Sequence, residues 1–172
     1  MTTDLKDLAL PVLDRLLLLE QMAVPEAKVT KRWVDFSLTP PFWSHRWGGV
    51  STDEQLSTLT TYPLRIVARL TVAYHGVVTV EDDDGDTPQD KAWVWALDAQ
   101  QVFQAHKDFS AVQVVTIDDV EVEQRLGPLP GIVASEVRIV CPAGLEFRPH
   151  VRADTYYLSF DWELTVPLRA RR

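Results

Sequence analysis

From Thr3 to Glu20 the apolar residues Leu5, Leu8, Ala9, Val12, Leu13, Leu16 and Leu19 recur at intervals of three and four. Asp4, Lys6, Asp7, Asp14 and Arg15 fall mostly between them, so the segment predicts an amphipathic helix. Pro11 sits inside the pattern and predicts a kink or a second start near Leu10, because proline cannot donate the i→i−4 bond. The period then shortens to two. Lys28 to Leu38 alternates Val29, Lys31, Trp33 and Asp35 with Thr30, Arg32, Val34, Phe36 and Leu38, which predicts a strand. From Thr39 to Thr61 neither period holds. Pro40-Pro41, Gly48-Gly49 and clusters of Thr and Ser break the pattern, and the segment predicts a long loop. Its aromatics Phe42, Trp43 and Trp47 then need something to pack on, either the chain's own body or a neighbouring subunit. Tryptophan is enriched at protein interfaces, so these three are candidate subunit-interface residues.

Tyr62 to Val80 alternates again. Leu64, Ile66, Ala68, Leu70, Val72 and Tyr74 share one face, with a bend expected at Gly76. After the run Asp82-Asp83-Asp84-Gly85-Asp86, the residues Thr87-Pro88-Gln89-Asp90 form a helix-start signal. The stripe Ala92, Trp95, Ala96, Ala99, Val102, Phe103 and His106 carries that helix to about Lys107. Strands are expected at Val112–Ile117, Val120–Gln124, Ile132–Cys141 and Thr155–Val166, with turns at 127–131 and 142–144. In the last strand Tyr156, Leu158, Phe160, Trp162, Leu164 and Val166 should face the core, and Thr155, Tyr157, Ser159, Asp161, Glu163 and Thr165 water. Together these elements predict one α+β domain over 1–172: a largely antiparallel β-sheet flanked by an N-terminal helix and one central helix, with a long loop at 39–61.

Charge adds a local feature. The 172 residues carry a formal net charge of −8, but Glu81 to Glu123 alone holds twelve acids against Lys91 and Lys107. That segment is −10, so the rest sums to +2. The overall acidity argues against a dedicated nucleic-acid binder, whose footprint is a basic face. The basic clusters Lys31-Arg32 and Arg169-Ala170-Arg171-Arg172 are short and predict weak, non-specific phosphate contact at most. One cysteine cannot make an intrachain disulfide. The run Leu16–Leu19 is far short of a bilayer span and follows acids rather than a basic leader, so neither a membrane helix nor a signal peptide is expected.

The search for chemistry returns little. Asp82, Asp84 and Asp86 have the one-three-five spacing of a calcium loop, but Thr87 and Trp93 stand where that loop needs Gly and the closing Glu. His45, His75, His106 and His150 show no metal-ligand spacing, and His106 on its apolar stripe is expected to be a hydrogen-bonded core or boundary residue. Cys141 at a strand end is expected to act as a small hydrophobe rather than a nucleophile. Asp161 and Glu163 share a strand face as a catalytic carboxylate pair would, yet ordinary alternation places them there too. No nucleophile-elbow, P-loop or dinucleotide signature is present. The expectation is a non-enzyme without cofactor or metal.

The opening helix Leu5–Leu19, the strand Tyr62–Tyr74, the helix Asp90–Lys107 with Trp93-Val94-Trp95 and the final strand Tyr156–Val166 follow a recognisable order. That order and size resemble the tail terminator proteins of long-tailed bacteriophages, over most of the chain. The resemblance implies a structural virion protein, assembled in the host cytoplasm, that forms a ring, commonly a hexamer. Such a ring caps the tail tube and joins it to the neck, with tube protein and neck or connector protein as partners and DNA only passing through. In that setting Asp82, Asp83, Asp84 and Asp86 become a candidate channel-facing loop, whose like charge keeps DNA from adhering. Alternatives are another head–tail connector or tail-completion protein, or a non-viral binding module that grips a partner with the aromatic 39–61 segment.

Overall fold

The apolar stripe of the N-terminal segment winds one helix, α1 (Leu5–Ala23), that continues through Pro11 rather than restarting there. Val12, Leu16, Leu19 and Ala23 lie on its buried side. The structure, a computed structural model, describes residues 5–31, 40–50, 61–75, 88–141, 146–149 and 155–169. After α1 come β1 (Lys28–Val29), β2 (Phe42–Val50), β3 (Thr61–His75) and the second helix α2 (Pro88–Ala105). Next are β4 (Ala111–Ile117), β5 (Val120–Leu126), β6 (Arg138–Val140), β7 (Glu146–Pro149) and β8 (Thr155–Arg169).

Among the described residues, six strands form one sheet in the order β1-β2-β3-β8-β6, with β7 also pairing with β8. Of these pairs β1–β2 is parallel and the others are antiparallel. The architecture is α+β with a largely antiparallel sheet, as the periodicities predict. The spine is the pairing of β3 with β8, in unbroken register from Thr61↔Arg169 to His75↔Thr155. Both helices lie on the face lined by Trp43 and His45 of β2, Leu64 to Leu70 of β3 and Leu158 to Leu168 of β8. This is the core. Within it Trp162 sits between Trp43 (ring centroids 5.3 Å), Phe103 (5.7 Å) and Phe160 (6.2 Å). Its indole N–H donates to Gln100 Oε1 on α2 at 2.9 Å.

Three sequence-based expectations need correction. The supposed loop 39–61 contains β2, nine residues paired with β3 and interrupted by a bulge between Trp47 and Gly49. Its alternation is hard to see because the core-facing side reads Trp43, then His45, while the opposite side begins with the apolar Phe42. The predicted strand Ile132–Cys141 shrinks to β6, because a single 3₁₀ turn occupies Ala134–Glu136. Ser159 is buried rather than facing water, as are Ser44, Arg69 and Thr71 beside it, so this end of the second sheet face is covered too. Of the predicted strand Lys28–Leu38, residues 32–39 lie outside the described set.

Candidate interaction surface

Each residue singled out in the sequence has a definite place or falls outside the described residues. Phe42 and Trp43 are fully buried in this chain's own core. They are therefore not interface residues. Pairing of β2 with β3 pulls both side chains into the body, and the fold consumes the apolar surface that an interface would need. Trp47 belongs to β2, but its side chain is outside the described set. Asp82, Asp83, Asp84 and Asp86 lie outside the described residues altogether, as do His75's side chain and His150.

The Asp161–Glu163 face is not a carboxylate dyad. Arg69 Nε donates to Asp161 Oδ1 at 2.6 Å and its Nη2 to Oδ2 at 2.7 Å, a bidentate cross-strand clamp between directly paired residues. Glu163 is exposed one pleat further on. Asp161→Ala should lower the unfolding free energy by about 2 kcal/mol, since a charged hydrogen-bond partner is lost from a mostly covered guanidinium. Urea denaturation of the variant checks this.

Cys141 is exposed, not a buried hydrophobe. Partial burial and the nearby Asp161 carboxylate push its thiol pKa up, which disfavours the reactive thiolate. His106 behaves as expected: half-buried, with Nδ1 3.0 Å from Ser110 Oγ.

The sequence concealed the most unusual group. Glu20 of α1 and His45 of β2 are both fully buried, with Oε1 and Nε2 2.5 Å apart. His45 Nδ1–H donates to the Thr30 carbonyl at 2.6 Å, which leaves Nε2 to share a proton with the carboxyl group. Glu20 Oε2 has no hydrogen-bond partner among the described residues. Burial pushes the Glu20 pKa up, more than the adjacent His45 lowers it. Burial opposes charge on His45, but the Glu20 carboxylate and the hydrogen bonds to Glu20 and Thr30 outweigh it and raise its pKa. Both directions describe one buried pair that holds its bridging proton tightly. With both side chains at 0% exposure, no substrate reaches them. The pair ties α1 to the sheet. One signal was legible: Glu20 follows Leu13 and Leu16 at i+7 and i+4, a carboxylate on a buried stripe.

What projects from the body is the hairpin β4–β5. Its two-residue turn, Asp118-Asp119, has positive φ at both positions (49° and 63°), the twist that a tight hairpin requires. The base is anchored. Arg15 Nη1 of α1 donates to the Gly127 carbonyl at 3.2 Å, and the Val112 amide meets Met22 Sδ at 3.3 Å. Asp108 accepts from the Ser110 amide and hydroxyl, which holds its carboxyl below the usual range and fixes the chain entering β4. Beyond the base, apolar side chains stand in solvent: Val114 at 61% exposure, Ile117 at 56%, Val120 at 60%, with Val122 close behind. By the register, Val115, Ile117, Val120 and Val122 share one face. A two-stranded ribbon is marginal alone in water, and an apolar face on one is surface awaiting a partner.

On the opposite side of the molecule, the sheet face turned away from the helices forms a concavity of about 510 Å³. Arg46, Arg65 and Arg138 surround Val67 and Val140 there, with Glu163 the lone acid among its lining residues. Among the described residues, no group of three or more His, Cys, Asp or Glu is placed to hold a metal, and no helix is long and apolar enough to cross a membrane.

Comparison with protein-family models and with curated proteins finds no match to this sequence. Among the described residues, the surface carries a projecting hairpin, apolar with an acidic turn, and an arginine-lined concavity.

Proposed function

We propose that this chain is a structural subunit of a bacteriophage virion, one that assembles with copies of itself into a ring capping the tail tube at the neck. The observation that carries the proposal is the hairpin β4–β5, firmly anchored at its base and apolar at its exposed end. Evolution seldom leaves such an element bare on a protein that works alone. The order of elements that resembles tail terminators supports the same conclusion, and the closed Glu20–His45 pair gives no competing catalytic centre. Partners in this role are other copies of the chain, the tail tube protein and a neck or connector protein, with DNA in transit. Another head–tail connector or tail-completion protein would also form a ring, and the two differ in whether the ring seats on the tube or on the connector.

Native mass spectrometry across a concentration series tests the first half of the proposal. A discrete closed oligomer, with six copies the expected number, is the predicted result. A monomer at every concentration, both alone and mixed with tube protein, would contradict it.

A further inference from the structure

We infer that the turn of the β4–β5 hairpin of one copy seats in the arginine-lined concavity on the sheet of the next copy, making a head-to-tail contact. This rests on the self-assembling role proposed above and assigns the surfaces that perform it. The two surfaces match in chemistry. The hairpin end presents Ile117 and Val120, both more than half exposed, around the carboxylates of Asp118 and Asp119. The concavity presents Val67 and Val140, the latter 55% exposed, among the guanidiniums of Arg46, Arg65 and Arg138. Two apolar groups and two anions thus meet two apolar groups, three cations and the single carboxylate of Glu163, a lining that stays net positive. Carboxylate–guanidinium geometry adds direction to an otherwise non-directional apolar contact.

Position excludes closure within one chain, so peg and socket must come from different copies. The hairpin base is fastened to α1, which lies on the core-facing side of the sheet. The concavity occupies the other side. Register places Arg46, Val67, Glu163 and Val140 in one cross-strand row, with Arg65, Thr165 and Arg138 along the next row of that face. Each copy therefore carries one peg and one socket, and in the inferred head-to-tail arrangement these engage two different neighbours. A contact of this kind closes into a ring when the rotation per step divides a full turn, and otherwise propagates as a filament.

The test uses complementary variants followed by sedimentation velocity. Ile117→Lys/Val120→Lys spoils the peg and keeps the socket; Arg65→Glu/Arg138→Glu spoils the socket and keeps the peg. Alone, each should fail to assemble at concentrations where the unaltered chain does. Mixed in equal amounts, they should form a one-to-one pair and stop there, since only one intact peg and one intact socket remain. A third variant guards against misfolding. Asp118→Asn/Asp119→Gly places the preferred residues in this turn type, so the fold is kept while both charges are lost. Its self-association should weaken at least about tenfold and lose much of its salt dependence. If the unaltered chain assembles and the variants assemble equally well, the inference is wrong while the ring survives. If the peg variant is monomeric but no mixed pair forms, the hairpins meet each other symmetrically and the inference is again overturned. If the unaltered chain never associates, the proposed ring fails and the contact with it.

Discussion

Trp162→Ala should lower the unfolding free energy by about 3–5 kcal/mol, the range for truncating a large aromatic residue in a packed core. Small domains are stable by only about 5–15 kcal/mol, so the variant should be largely unfolded at modest urea. The size follows from what the indole joins. It contacts Trp43 of β2, Phe103 of α2 and Phe160 of its own strand, and its N–H holds Gln100. Losing it opens a cavity where sheet and helix meet and leaves the Gln100 amide oxygen without that donor. Trp162→Phe keeps most of the ring contacts and should cost clearly less. Urea denaturation followed by circular dichroism reads both. Equal stability of the alanine variant and the unaltered chain would mean that α2 does not dock here.

Glu20→Ala and His45→Ala should each cost about 3–5 kcal/mol, because removing one member of a buried ionisable pair strands the other. The double variant Glu20→Leu/His45→Leu should lose less than either single one, since no orphaned charge remains and the volumes are similar. The pair also sets a pH dependence. His45's folded pKa is raised above its ordinary 6.5, so the stabilisation it brings is complete below 6.5. Glu20's raised pKa acts in the same sense, with the native state holding the proton that the unfolded state releases. Stability should therefore fall as pH climbs above 6.5 toward the pair's raised pKa. The urea midpoint measured from pH 6 to 9 should decline in the unaltered chain and decline less in the double leucine variant. A midpoint that rises over this range would contradict the assignment.

These two clusters also mark how far the sequence could be read. The β3 and β8 alternations run for many residues with apolar side chains on one face, and the pairing Leu64↔Val166 through Val72↔Leu158 simply joins them. The two strands of the hairpin were equally legible as runs at Val112–Ile117 and Val120–Gln124, and the structure pairs them. Strand β2 was not legible. His45 stands on its buried face, and a polar residue inside a hydrophobic alternation looks like a break unless its partner is known. That partner, Glu20, lies 25 residues away on another element, a distance that no local pattern spans. The same hidden pairing explains why Phe42 and Trp43 suggested an interface: without β2, their aromatic rings had no core to enter. Arg69 and Asp161, 92 residues apart, illustrate the point on the other face of the sheet. Alternation placed Asp161 beside Glu163, but only strand register shows that a guanidinium claims it.

The hairpin is the converse case. Its sequence announced the strands, yet neither the turn that joins them nor that Ile117, Val120 and Val122 would remain in solvent. Exposure depends on where the ribbon leaves the body, which is fixed by Arg15, Met22 and Asp108 at its base. Part of the central negative charge thus acquires an address at Asp118 and Asp119, on the element best placed to meet another molecule.

The proposed role is a ring of copies of this chain seated on the end of a tail tube. Electron microscopy of the purified protein mixed with tubes assembled from its cognate tube protein is the decisive measurement. A ring-shaped cap at one end of each tube is expected, absent when the chain is omitted and lost with Ile117→Lys/Val120→Lys. Bare tube ends at saturating protein, with the chain remaining monomeric in the same sample, would contradict it.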